Sequence, residues 1–234
     1  IHYGCCCQSP KHRIKERPLN RRLLLSFAIL YTVLATIFCL AVYGRYIAFP
    51  GTWGKMLPCL GFVLTALAAG ALRSPYGRLL LIGLLFSWGG DYLLTKSGWD
   101  MFRAGALSFA LAHLFYIAAF MNYSRRPKAL LRNGAAVFVL IAGIAIAAWQ
   151  HLPEEVWGTI CAYSLVISVM LAASATPWKQ PGGLLILSGA AAFYLSDLFL
   201  AYRLFGLWGN WAGAACLLFY FGGQTLLASS IMRV

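Results

Sequence analysis

Acidic residues are nearly missing from this chain. Its 234 residues include six Asp and Glu against 19 Lys and Arg, and charges of both signs make up only 11%. A soluble domain is about a quarter charged. So little charge cannot cover a soluble surface, which excludes a soluble globular enzyme and a disordered chain. A nucleic-acid-binding domain is excluded on the same ground, despite a net charge of +13. Histidine is scarce as well. Of His2, His12, His113 and His151, only His113 lies inside an apolar stretch, which argues against a three-histidine zinc site. The seven cysteines form no C-x-x-C pair, so no zinc site is expected. Cys39, Cys59, Cys161 and Cys216 stand singly in apolar surroundings, where cysteine behaves as a small hydrophobe. The Cys5-Cys6-Cys7 run has the composition of an acylated tail, and equally of a tail with no role.

What is present is apolar sequence, 61% of all residues. A bilayer core needs about 20 apolar residues per helix. Charges and turn residues divide the chain into eight such stretches, at 23–43, 55–72, 78–95, 103–122, 131–149, 156–175, 182–201 and 211–232. The expectation is an all-α polytopic membrane protein, with eight transmembrane helices in one bundle over residues 23–234 and a basic, disordered tail over 1–22. Eight spans put both termini on one side. Fourteen of the 19 basic residues fall on that side; Arg45, Lys55, Lys96, Arg103 and Arg203 fall on the other. The excess of Lys and Arg marks the cytoplasmic face, so both termini are expected there. A bacterial inner membrane is the expected host, and membrane lipids rather than nucleic acid are the partners of the basic surface.

The few acids are informative by position. Glu16 is in the tail, and Asp100, Glu154 and Glu155 are in loops. Asp91 and Asp197 remain, both inside expected spans. A carboxylate at membrane depth is costly and marks a functional site more often than a structural one. Asp91 follows Arg78 by 13 residues, and Asp197 follows Gly183 by 14. Both therefore sit about 20 Å from the inner end of their helices. The two helices run the same way, so the carboxylates can face each other if these helices are neighbours. Gly83 and Gly189 each precede their Asp by eight residues, a spacing consistent with a weak parallel repeat. Ser87 and Tyr194 share helical faces with Asp91 and Asp197, and Gly89 and Gly90 permit close approach of another chain. His113 lies mid-span with Tyr116 one turn on, as acid/base partner or as core histidine. Lys55 opens its span as a phosphate ligand, a carboxylate partner or an interfacial lysine. Gln224 adds a polar group at membrane depth. The candidate catalytic residues are thus Asp91, Asp197 and His113, with Lys55, Ser87, Tyr116, Tyr194 and Gln224 as candidate substrate contacts.

Two buried carboxyl groups suit acid/base hydrolysis through an oxocarbenium ion. They also suit a proton-coupled transporter or lipid flippase. The Tyr-Asp and Pro-Ala-Leu elements of an aspartyl intramembrane protease are lacking, and no late span carries the lysine of a retinal pigment.

Ser87-Trp88-Gly89-Gly90-Asp91, the stretch Gly105 to Tyr116 with His113, and Gly189 to Asp197 running on through Ala201 and Phe205 together resemble the YhhN family. Lys55 and the segment Tyr220 to Ser229 resemble further elements of it. Lys55 departs from the family's Lys-Pro pairing, since Pro58 comes three residues later. The resemblance covers spans two to eight and implies eight spans and lysoplasmalogenase activity. The substrate it implies is a lysophospholipid with a 1-alkenyl chain. The products are a fatty aldehyde and glycerophosphoethanolamine or glycerophosphocholine, with no cofactor required.

Overall fold

The computed structural model describes residues 18–46, 50–126, 128, 130, 132–134, 154–204 and 211–234. Regular structure among them is entirely helical. The helices are α1 (Pro18–Tyr43), α2 (Gly51–Ala68), α3 (Pro75–Leu93), α4 (Trp99–Tyr123), α5 (Glu154–Ser174), α6 (Gly183–Leu204) and α7 (Trp211–Ser230), with one 3-10 turn at Ala71–Arg73. Local sequence sets several ends. Ser74 caps α3 by accepting the Gly77 N–H at 3.0 Å, and Pro75 takes the first helical position, where no N–H is needed. Gly98 precedes α4 at φ +103°, a backbone that side chains disfavour.

The helices pack in chain order as a ring. Each of α1 to α6 touches the next helix described, and α7 closes the ring against α6, α2 and α1 while also reaching α3. The α6–α7 contact is made close by two glycines. A Cβ on Gly189 would lie 2.9 Å from the Gly223 carbonyl oxygen, and one on Gly223 would lie 2.8 Å from that of Gly189. The end of the bundle nearer the C-terminus is tied by side chains. Tyr76 of α3 and Ser230 of α7 are 2.6 Å apart through their hydroxyls, Tyr123 donates to the Pro181 carbonyl at 2.8 Å, and Arg21 donates to that of Ala69. Phe27, Leu34 and Ile37 of α1 stay exposed, as expected of a lipid-facing surface.

Among the described residues, five helices are long and apolar enough to cross a membrane: α1, α4, α5, α6 and α7. The expectation of eight is thus met in part. α2 and α3 have 18 and 19 residues, but Lys55, Arg78 and Asp91 lie within them and lower their apolarity. The expected span 131–149 lies largely outside the described residues, as do Cys5-Cys6-Cys7 and most of the tail. The chain is a multi-pass membrane protein.

Candidate active site

Asp91, near the end of α3, is 1% exposed. Burying a carboxylate requires compensation by charge and hydrogen bonds, and three neighbours supply it. Lys55 Nζ of α2 lies 2.7 Å from Oδ1. Tyr220 of α7 donates its hydroxyl to Oδ2 at 2.5 Å, and the Cys59 thiol of α2 lies 3.1 Å from the same oxygen. Cys59 is therefore more than the apolar filler expected, because its position one turn after Lys55 aims it at the same carboxylate. Behind Tyr220 runs a buried polar chain. Gln224 Nε2 lies 3.5 Å from the Tyr220 oxygen, Tyr116 donates to Gln224 Oε1 at 2.9 Å, and Ser87 Oγ lies 3.2 Å from the Tyr116 hydroxyl.

Asp197 has a different setting. Tyr163 of α5 donates to its Oδ2, and Ser196 Oγ lies 3.5 Å from Oδ1. His113 Nε2 of α4 is 2.9 Å from the Tyr163 hydroxyl, and the buried Nδ1 has no partner among the described residues. No cation within the described residues forms a salt bridge with Asp197. The Tyr163–His113 chain accommodates either protonation state of the carboxyl, since hydroxyl and imidazole can each reverse donor and acceptor roles.

Both carboxylates line one cavity of about 1350 Å3. Ligand pockets commonly measure about 300–1000 Å3, so this one suits a molecule of lipid length. From α1, α2, α3, α4, α6 and α7 it takes residues near the α1–α2, α3–α4 and α6–α7 connections, so much of its lining lies toward the end opposite the tied one, and α5 residues down to Val169 extend it inward. Phe109, Phe193 and Tyr220 stack edge to face beside it at 5.2–6.1 Å.

The structure brings Lys55, Asp91, Tyr194 and Asp197 to this cavity. It places Ser87, His113, Tyr116 and Gln224 outside the lining, fully buried. His113 acts on Asp197 only through Tyr163, and the other three reach Asp91 only through Tyr220. The expectation of neighbouring helices is corrected: α3 and α6 make no contact, because α7 lies between them. Gly90 admits Phe109 of α4 rather than a ligand, whereas Gly89 is left open. Sequence reasoning missed Tyr163 and Tyr220. Tyr220 carried a signal, being one turn before Gln224 on the same face. Tyr163 carried none, since its role depends on the packing of α5 against α4 and α6.

The fold and site define a class: a multi-pass helical membrane protein with two carboxylates, set in unlike surroundings, around an internal cavity. The chain belongs to the YhhN family, whose model matches residues 51–231. It is 30% identical over 183 residues to lysoplasmalogenase TMEM86B of Sus scrofa, covering 78% of this chain and 76% of that one. It is also similar to lysoplasmalogenase TMEM86A of Bos taurus, at 30% identity over 76% of this chain and 77% of the relative. The Homo sapiens TMEM86A is 31% identical over the same shares. No solved structure matches.

Proposed function

We propose that this protein hydrolyses the vinyl-ether bond of lysoplasmalogens, releasing a fatty aldehyde and a glycerophosphoethanolamine or glycerophosphocholine. The names of its relatives support the substrate class. The observation that carries the chemistry is the unlike pair in one cavity: Asp91 held by a cation and two donors, Asp197 held by a phenol. Asp197 protonates the outer carbon of the vinyl ether, and positive charge develops on the ether oxygen and the carbon beside it. The Asp91 carboxylate, paired with Lys55, faces that charge. Asp197, now a carboxylate, takes a proton from the water that adds to the cation, giving a hemiacetal. The hemiacetal collapses as Asp197 returns that proton to the glycerol oxygen and takes up the hemiacetal hydroxyl proton, which frees the aldehyde and restores the acid. Tyr163 and His113 position Asp197 through both states. The reading extends to topology: eight spans, residues 131–149 included, with both termini cytoplasmic.

The test is aldehyde release from a 1-alkenyl lysophospholipid by the purified protein in detergent. Asp91→Asn and Asp197→Asn are each expected to lower kcat by about 100-fold or more. Tyr163→Phe is expected to lower it less, since it removes a positioning group only. Full release by both Asn variants would overturn the assignment.

A further inference from the structure

Three cations line the cavity: Lys55, Lys96 and Arg203. Sequence alone offered Lys55 as a phosphate ligand, a carboxylate partner or an interfacial lysine. Its ammonium is matched by Asp91 at 2.7 Å, which leaves little net charge for an anion. Lys96 and Arg203 differ. Both are exposed at the connection end, and neither has a carboxylate partner among the described residues. Arg103, on the same end, is paired with Asp100 at 3.0 Å and does not line the cavity.

Their spacing from the carboxylates is matched. Lys96 follows Asp91 by five residues and Arg203 follows Asp197 by six. The turn beyond α3 keeps helical progress, with the Lys96 N–H bonded to the Leu93 carbonyl at 3.0 Å. At 1.5 Å per residue, each cation stands about 7–9 Å along its helix from its carboxylate. Between the phosphate and the ether oxygen of a lysophospholipid lies one glycerol unit, so a phosphate at that height sets the vinyl ether near the carboxylates. Each cation also rests on an aromatic ring, Lys96 on Tyr92 at 4.7 Å and Arg203 on Tyr43 at 5.1 Å. Such contacts hold the cation in place and leave it N–H donors for an anion. Snorkelling accounts for basic residues at an interface, but not for two of them converging on one cavity.

We infer that Lys96 and Arg203 form an anion subsite at the rim of the cavity that takes the phosphate of a single-chain phospholipid. The lipid lies head outward and its chain runs inward along α5, whose cavity-lining residues extend from Ile160 to Val169. This deepens, and rests on, the proposed hydrolase reading.

The experiment separates the two. The full chain in detergent is titrated with 1-O-alkyl-glycerophosphoethanolamine, which has no vinyl ether to cleave, and with 1-O-alkylglycerol of the same chain, binding being read by calorimetry. The wild type is expected to favour the phospholipid by about tenfold or more, as charge-assisted hydrogen bonds warrant. The double variant Lys96→Ala/Arg203→Ala is expected to lose that preference while binding alkylglycerol as before. The double variant Lys96→Arg/Arg203→Lys is expected to retain most of it. With the cleavable lipid, the alanine pair is expected to raise KM and spare kcat. Equal binding of both probes by the wild type, or a preference that survives the alanine pair, would overturn the subsite. Displacement of the phospholipid by an equal concentration of inorganic phosphate would assign the cations to a free anion and overturn the lipid reading. Preferential phospholipid binding without aldehyde release from any alkenyl lipid would sustain the subsite and defeat the hydrolase.

Discussion

Lys55 and Asp91 illustrate how one contact can serve both stability and chemistry. The pair is buried on the carboxylate side, with side-chain exposures of 23% and 2%. Removing one partner of a buried pair strands the other, which is typically destabilising by about 3–5 kcal/mol. Lys55→Met is therefore expected to lower the melting temperature in detergent markedly. Lys55→Met/Asp91→Leu is expected to recover most of that loss without recovering activity. A double variant as unstable as the single one would show that the charge imbalance is not the cause. The two carboxylates were legible in the sequence because acids at membrane depth are rare. Their tyrosine partners were not, because tyrosine is common here, with 12 in the chain. A tyrosine in an apolar stretch looks the same whether its hydroxyl meets a carboxylate, as in Tyr163, or a backbone carbonyl at the tied end, as in Tyr123.

At the scale of the helix, Gly83 and Gly189 give physical content to the repeated spacing. A Cβ on Gly83 would collide with the Tyr116 ring of α4, and one on Gly189 would meet Gly223 and Leu227 of α7 at 2.9 Å. In each case the carboxylate-bearing helix is pressed against the next helix described, two turns from its Asp. Small residues at such contacts let backbones approach. Gly189→Leu is expected to destabilise the fold by about 1–3 kcal/mol through overpacking. Gly89→Ala meets only Ser108 Oγ at 3.5 Å and is expected to leave the melting temperature unchanged. Equal melting temperatures for both variants would contradict the close α6–α7 packing. Helix positions followed from hydropathy to within a few residues, since α4 occupies Trp99–Tyr123 where 103–122 was expected. Helix neighbours did not follow. Nothing in the local pattern says that α7 inserts between α3 and α6, a choice made by the small-residue faces of three separate helices.

For the molecule as a whole, orientation decides which side of the membrane the cavity serves. The cavity lies at the connection end, and the tied end carries the C-terminus. The proposed topology, read from the distribution of Lys and Arg, has the tied end facing the cytoplasm. Green fluorescent protein fused after Val234 is expected to fluoresce in a bacterial host, and alkaline phosphatase fused after Gly98 to be active. The reverse pattern would invert the molecule and turn the cavity inward.

The ion pair between α2 and α3 also bears on how the protein enters its membrane. These are the two described α-helices whose apolarity falls short of a span. A lone Lys, Arg or Asp within an inserting helix is disfavoured, though less toward the ends, where Lys55 and Asp91 lie, than at the centre. The two helices are joined by six residues that include the Ala71–Arg73 turn, and Lys55 meets Asp91 across them. Each helix carries the counter-charge that makes the other acceptable to lipid. Insertion of the two helices together, as a hairpin that already holds the Lys55–Asp91 pair, is therefore expected.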